Sequence, residues 1–272
     1  MNLDGSTEVY GVIGYPIRHS LSPVFQNKAF RHFSLNAVYV PLEVKPEEFH
    51  TAFYGLKALG VKGVNVTLPH KERALELSDF PDHHAKAIGS ANTLKFSSEG
   101  VYAYNTDWIG FLKALKKLVP ELKGLKVLLL GAGGSSRAVL YALKREGSVV
   151  YLWNRTWQKA CMLCEEFECQ VVERPEEVLK DVELIVNTTS SGLREEDRSL
   201  FDYNLLEPEH KVMDLIYRDT PLIRSARVKG CECKDGLDML LYQGIESFRI
   251  WTGIEVPYHV VKDAVLEYLE HF

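Results

Sequence analysis

Lys126–Ala138 reads KVLLLGAGGSSRA. An apolar run, Val127–Leu130, closes on Gly131, Gly133 and Gly134, and a helical pattern begins at once. Glycines at such a turn let backbone N–H groups approach a pyrophosphate, and the helix N-terminus behind them favours its negative charge. Ser136 stands where the third glycine of G-x-G-x-x-G would be. The strand–glycine–helix order points to a bound dinucleotide. The plain alternative is a tight turn without a ligand.

The next strand, VVYLW, ends in Asn154-Arg155-Thr156. An NAD-preferring site carries a carboxylate at this tip for the adenine ribose. Here there is none. Arg155 can pair with a 2′-phosphate, and Lys159 lies one helical turn further on. Cations at a helix N-terminus are mildly unfavourable unless an anion is bound there. The pattern therefore favours NADP over NAD, against a merely solvated basic helix start.

Working outward, strands and helices alternate. Expected strands are Glu8–Gly14, Asn36–Val44, Val61–Leu68, Val127–Leu130, Val149–Trp153, Gln170–Val172, Leu184–Asn187, Val212–Ile216 and Gly230–Lys234. Helical patterns follow Ser22-Pro23 and cover Pro46–Leu59, Pro69–Leu77, Asp107–Leu118, Lys159–Phe167 and Ile223–Val228, with one more running from the glycine turn to Arg145. Such alternation predicts parallel sheets with right-handed crossovers. Ala91–Phe96 and Val101–Tyr104 read instead as a hairpin around Glu99-Gly100, and the tail as two helices, Leu237–Trp251 and Val260–His271. The polar, proline-marked stretch Pro120–Gly124 is a candidate domain border.

The chain has 272 residues, 46% hydrophobic and 25% charged, with a net charge of −5. This is an ordinary globular composition, with no electrostatic case for nucleic acid or an anionic membrane. The start, MNLDGSTEVYG, lacks the basic and apolar regions of a signal peptide, and no apolar run approaches a membrane span. The five cysteines include Cys161-x-x-Cys164 and Cys231-x-Cys233. The first pair falls in a helical pattern, so incidental thiols in a reducing cytoplasm are expected rather than zinc or redox chemistry.

Three features of the first half suggest chemistry. Ser20-Leu21-Ser22 puts two hydroxyls before a helix start, a place for a small carboxylate, although Ser22 could simply cap. In Asn65-Val66-Thr67-Leu68-Pro69-His70-Lys71, strand alternation sets Asn65 and Thr67 on one face. Lys71 then opens a helix, the wrong end of its dipole for a cation, with pairing to Glu72 or Glu76 as the plain alternative. His70 reads as a capping or solvated residue. In Asn105-Thr106-Asp107 the aspartate is an apt helix cap, and Asn92 adds an amide without evident packing use.

Taken together these residues resemble the shikimate dehydrogenase family. The likeness is carried by Ser20-x-Ser22-Pro23, Asn65-Val66-Thr67-x-Pro69-x-Lys71, Gly89-Ser90-Ala91-Asn92-Thr93 and Asn105-Thr106-Asp107. It continues through Gly131-Ala132-Gly133-Gly134-x-x-Arg137-Ala138, Asn154-Arg155-Thr156, Asn187-Thr188-Thr189 and Asp235-Gly236-x-x-Met239-Leu240-x-x-Gln243-Gly244. The motifs keep the family's order and cover nearly the whole chain. The resemblance implies reversible reduction of 3-dehydroshikimate to shikimate with NADPH, in aromatic amino-acid biosynthesis. It implies Lys71 and Asp107 as the catalytic pair at the reacting oxygen. Ser20 and Ser22 would hold the substrate carboxylate, with Asn65, Thr67, Asn92 and Gln243 around the ring. Gly131, Ala132, Gly133, Gly134, Asn154, Arg155, Thr156, Lys159, Thr188, Met213, Leu215, Tyr217, Gly236 and Met239 would form the NADP site, and no metal is needed. Ser191-Gly192-Leu193 departs from the family's usual Gly-Met ending, which leaves the nicotinamide-side contacts open.

The fold expected is α/β with two domains. Residues 1–107 and 238–272 would form a substrate domain with a mainly parallel sheet, completed by the C-terminal helices. Residues 108–237 would form a Rossmann-like NADP domain, with the active site in the cleft between. The expected partners are the small-molecule substrate and cofactor, with no nucleic acid or membrane, in a monomer or homodimer. The rivals are a quinate/shikimate dehydrogenase using NAD or both cofactors, a non-catalytic dinucleotide sensor, and a folate-type dehydrogenase.

Overall fold

The computed structural model describes residues 3–194 and 196–271. The chain divides into two compact units, Met1–Thr106 with Leu241–Phe272, and Asp107–Leu240.

The first unit holds β1 (Glu8–Gly14), α1 (Ser22–His32), β2 (Ala37–Glu43), α2 (Phe49–Ala58), β3 (Gly63–Val66), α3 (Lys71–Leu77), β4 (Phe80–Pro81), α4 (His83–Ile88), β5 (Thr93–Phe96) and β6 (Val101–Tyr104). It also takes most of α9 (Leu237–Thr252) and all of α10 (Tyr258–His271). The six strands lie in the order β2-β1-β3-β5-β6-β4. β1 runs parallel to β2 and β3, and β4 parallel to β6. β5 is antiparallel to both β3 and β6. The sheet is thus mixed, because the short Ser97–Gly100 connection permits a hairpin but not a parallel crossover. Neither β4 nor α4 shows in the sequence pattern. Two residues of strand and six of helix are too short for a period, and α4 is set by its ends. Asp82 caps it through the Ala85 N–H at 2.7 Å, and Gly89 ends it in the left-handed region.

One face of this sheet is closed by aromatic packing. Tyr10 lies 4.9 Å from Phe30 of α1 and 5.4 Å from Trp251 of α9, and Phe248 lies 5.0 Å from Phe30, centroid to centroid. The buried Trp251 indole N–H is satisfied by the Leu94 carbonyl at 2.9 Å. Phe49 and Phe53 of α2 fill a cluster with Ile13, Val64 and Leu94.

The second unit holds α5 (Asp107–Leu115), β7 (Lys126–Leu130), α6 (Gly134–Arg145), β8 (Val149–Trp153), α7 (Trp157–Phe167), β9 (Gln170–Val171), β10 (Leu184–Asn187), β11 (Lys211–Asp214), α8 (Pro221–Val228) and β12 (Glu232–Lys234). All five pairings of its sheet are parallel, in the order β12-β11-β10-β7-β8-β9. This is the doubly wound dinucleotide-binding order, which reverses between β7 and β10. Val127–Leu130 are fully buried, as a central parallel strand covered by helices on both faces requires.

The cysteines differ from expectation. Cys164 is joined in a disulfide to Cys169 instead of remaining an incidental free thiol, while Cys161 stays free. The bond closes the C-terminal turn of α7, where the Cys169 N–H also meets the Cys164 carbonyl at 3.0 Å. Among the described residues no group of three or more His, Cys, Asp or Glu could hold a metal ion, and no helix is long and apolar enough to cross a membrane.

Candidate active site

In the first unit the expected substrate residues gather around strand ends. Ser20 and Ser22 follow β1, Asn65 lies on β3 with Thr67 just beyond it, Lys71 opens α3, Asn92 precedes β5, and Gln243 lies on α9. Ser22, Asn65, Lys71, Asn92 and Gln243 are all buried, although none is apolar. Buried polar groups need partners, and most of these share a single network. Tyr39 Oη donates to Asn65 Oδ1 at 2.8 Å, and Asn65 Nδ2 donates to Ser247 Oγ at 2.8 Å. Asn92 Oδ1 accepts the Thr106 N–H at 2.7 Å, while its Nδ2 reaches Thr106 Oγ1 at 2.9 Å and Gln243 Oε1 at 3.3 Å. Thr93 Oγ1 links Asn92 to Ser247. Three amides, on β3, before β5 and on α9, are thereby locked to one another.

Ser22 does not cap α1. Leu21 occupies that position and no side chain closes the turn. The Ser22 N–H meets Ser20 Oγ at 3.2 Å. The His70 side chain neither caps α3 nor faces solvent. It is fully buried, stacked 4.4 Å from Phe49, with Nε2 donating to the Val44 carbonyl at 2.7 Å. Burial, the dominant effect, pushes its pKa below the usual range. α3 starts at Lys71, two residues later than its pattern suggests. Asn105 has a local task, since its Nδ2 holds the Ser90 carbonyl at 2.9 Å.

Tyr39 and Ser247 join this network without having stood out in the sequence, and Thr93 and Thr106, quoted within motifs, have no role assigned to them there. Tyr39 and Thr93 read as ordinary strand residues. The trace for Ser247 is its place one turn beyond Gln243 on the same flank of α9.

In the second unit, Asp107 opens α5 and is buried, at 6% exposure. The glycine turn is built as its sequence suggests, at the switch point of the sheet. Gly131 has φ +113°, and a Cβ there would sit 2.6 Å from Thr188 Oγ1. Gly133 is exposed, and a Cβ there would meet nothing within 4 Å, so its surface is open to a ligand. Ser136, in place of the third glycine, is fully buried and bonded. Its Oγ accepts the Gly133 N–H at 3.0 Å and lies 2.6 Å from Thr188 Oγ1, which donates to the Leu130 carbonyl at 2.7 Å. Arg155, Thr156 and Lys159 are exposed at the start of α7, and Asn154 Nδ2 holds the Thr156 carbonyl at 2.9 Å. This set fits a phosphorylated dinucleotide, with an open backbone at the helix N-terminus for pyrophosphate and two cations for a further phosphate.

Residues beyond β10 and β11 frame the same edge. Asn187 Oδ1 accepts from the Thr189 N–H and hydroxyl, at 2.9 and 2.7 Å, and its Nδ2 donates to Asp214 Oδ1 at 3.0 Å. Asp214 also accepts from Ile216 N–H and Thr220 Oγ1. Burial pushes its pKa up despite these bonds. Met213 is fully buried in β11, and Met239 is buried on α9. Leu215 and Tyr217 are half-buried, and Gly236 admits the Leu215 carbonyl so closely that a Cβ would lie 2.0 Å from it. Leu193 is exposed in a loop whose Gly192 and Arg194 N–H groups are held by Asp197.

Residues 12–94 match the shikimate dehydrogenase substrate binding domain, residues 113–197 the shikimate / quinate 5-dehydrogenase model, and residues 236–266 the shikimate 5′-dehydrogenase C-terminal domain. The shikimate dehydrogenase (NADP(+)) of Aquifex aeolicus is 54% identical over 97% of this chain and 98% of its own length. The crystal structure of shikimate dehydrogenase from Aquifex aeolicus superposes with a TM-score of 0.96 at 54% identity, covering 97% of this chain and 99% of that one. A shikimate 5-dehydrogenase from Thermus thermophilus, solved with NADP(H) and shikimate, is 36% identical, with a TM-score of 0.89 over 96% of this chain and 99% of that one.

Proposed function

The chain belongs to the shikimate dehydrogenase family, and from that footing we propose that it reduces 3-dehydroshikimate reversibly to shikimate with NADPH. The observation that carries the substrate side is the meeting of Asn65, Asn92 and Gln243. Three buried amides tied into one network make a rigid set of donors and acceptors, which suits a small ring bearing several hydroxyls.

In this reading Ser20 and Ser22 donate hydroxyl hydrogen bonds to the substrate carboxylate. Ser22 is free of capping duty, which supports that role. NADPH, when bound, supplies the hydride that reduces the keto carbon. The chain's own contribution lies at the oxygen, where negative charge grows as the C=O bond becomes C–O. The Lys71 ammonium stabilises that charge and delivers the proton, so hydride plus proton convert the ketone to an alcohol. Asp107 orients Lys71 and accepts from a neighbouring ring hydroxyl. Gly131, Ala132, Gly133 and Gly134 seat the pyrophosphate, and Arg155 with Lys159 takes the 2′-phosphate that distinguishes NADP from NAD.

The reading treats the divided unit, residues 1–107 with 238–272, as the substrate domain, and residues 108–237 as the NADP domain. It sets the enzyme in the cytoplasm, as a monomer or homodimer. The deciding experiment follows absorbance at the NADPH band with shikimate or quinate as substrate and NADP or NAD as oxidant. Fast turnover is expected only with shikimate and NADP. Preference for quinate or for NAD would overturn the assignment.

A further inference from the structure

The Ser247 hydroxyl lies beneath the three amides, fully buried on α9. Four polar atoms approach it. These are the Gln243 carbonyl at 2.9 Å, Asn65 Nδ2 at 2.8 Å, Thr93 Oγ1 at 2.8 Å and Thr106 Oγ1 at 3.1 Å. A serine hydroxyl has one hydrogen and two acceptor lone pairs. Its hydrogen goes to the Gln243 carbonyl one turn earlier, so both lone pairs must accept. One takes the Asn65 amide, and the other a threonine hydroxyl.

This fixes the polarity of Asn65. The Tyr39 hydroxyl donates to one end of its amide, at Oδ1, and Ser247 accepts from the other, at Nδ2. Asn65 Nδ2 also donates to the Asn92 carbonyl at 3.2 Å and to Thr93 Oγ1 at 3.1 Å, so a flipped amide would face acceptors with its oxygen, and Ser247 is the nearest of them. The same serine is joined to Asn92 through Thr93 and Thr106, and to Gln243 through the helix backbone. A hydroxyl at this place on α9 therefore contacts the Asn65 amide directly and the Asn92 amide through two threonines, without itself lying among the residues assigned to the ligand.

We propose that Ser247 is a positioning residue for substrate selection. Its hydroxyl fixes the Asn65 amide in the orientation that holds one non-reacting ring hydroxyl, and so sets the preference for a ring hydroxylated at that carbon. The inference rests on the reading of Asn65 as a ring-hydroxyl ligand given under Proposed function.

The test measures kcat/KM with NADP for shikimate and for two analogues, each lacking one non-reacting ring hydroxyl. The proteins are wild type, Ser247→Ala, the near-isosteric Ser247→Cys and Asn65→Ala, each checked for folding by its thermal midpoint. Loss of one oriented hydrogen bond predicts a fall of about twofold to tenfold for the Ser247 variants on shikimate. The same fall is expected on the analogue that keeps the hydroxyl held by Asn65, and none on the analogue that lacks it. Asn65→Ala should show the same selectivity, more strongly. If the Ser247 variants lose equally on all three substrates, or lose nothing, while Asn65→Ala is selective, the inference is overturned and the reading of Asn65 stands. If Asn65→Ala is itself unselective, that reading fails first.

Discussion

Replacing Gly131 by alanine should uncouple the glycine turn from the strand beside it. At φ +113° an L-residue is strained, which costs about 1–3 kcal/mol. The new Cβ would sit 2.6 Å from Thr188 Oγ1 and 3.0 Å from Thr189 Cγ2, so Thr188 must move. Thr188 cannot move cheaply. Its hydroxyl joins the Leu130 carbonyl to Ser136 Oγ, which in turn holds the Gly133 N–H. Losing one or two of those bonds adds about 1–2 kcal/mol. Together these give about 2–5 kcal/mol, or a fall of about 5–15 °C in the thermal midpoint for a unit of this size. Thermal unfolding followed by circular dichroism measures the first effect, and steady-state kinetics the second. The NADPH KM should rise at least about tenfold, because the displaced groups are those proposed to seat the pyrophosphate. The shikimate KM should stay within about twofold, because its proposed ligands, Asp107 apart, belong to the other unit. A midpoint within about 2 °C of wild type, with both KM values unchanged, would show that the turn accepts a side chain and that this reasoning is wrong.

Three further outcomes are expected. Arg155→Ala should raise the NADPH KM far more than the NADH KM, and an equal effect on both would refute the 2′-phosphate assignment. Lys71→Ala should lower kcat by about 10²–10⁴ while leaving thermal stability close to wild type; near-normal turnover in that variant would sink the proposed mechanism. Asp214 has its pKa raised by burial, so its ionised form is disfavoured in the folded state. Its contribution to stability is therefore full below the unfolded carboxyl pKa and is lost as pH rises through the higher folded value. The midpoint of wild type relative to Asp214→Asn should accordingly fall as pH rises from about 4 to about 7, and a gap that widens with pH would contradict this.

The second unit was largely legible in the sequence because its central strands β7 and β10 are buried on both faces and its turns carry their own chemistry. Val127–Leu130 and Leu184–Asn187 are continuous, largely apolar runs, and Gly131 needs a backbone that only glycine adopts without strain. The first unit was less so. The hairpin of β5 and β6 showed through its turn, but β4 pairs through only two residues, one of them proline. At the site, side chains set apart by charge or by motif stood out, as with Lys71, Asp107 and Arg155. Those that act through tertiary contact did not. Tyr39 and Ser247 are 208 positions apart in sequence (247 − 39), yet both bond the Asn65 amide, and no local pattern encodes that meeting. Ser22 misled because its sequence context is that of a cap, while Leu21 takes the cap position and no side chain closes the turn.

The closing of the first unit by Phe248 and Trp251 has a consequence for synthesis on the ribosome. Residues 107–240 form a contiguous unit that can fold as soon as they emerge. Residues 3–106 emerge earlier but lack the aromatic side chains that cover Tyr10 and Phe30. They must wait, with part of their apolar face uncovered, until the segment from 241 onward arrives. Residues 107–240 can therefore complete their packing before the first unit does.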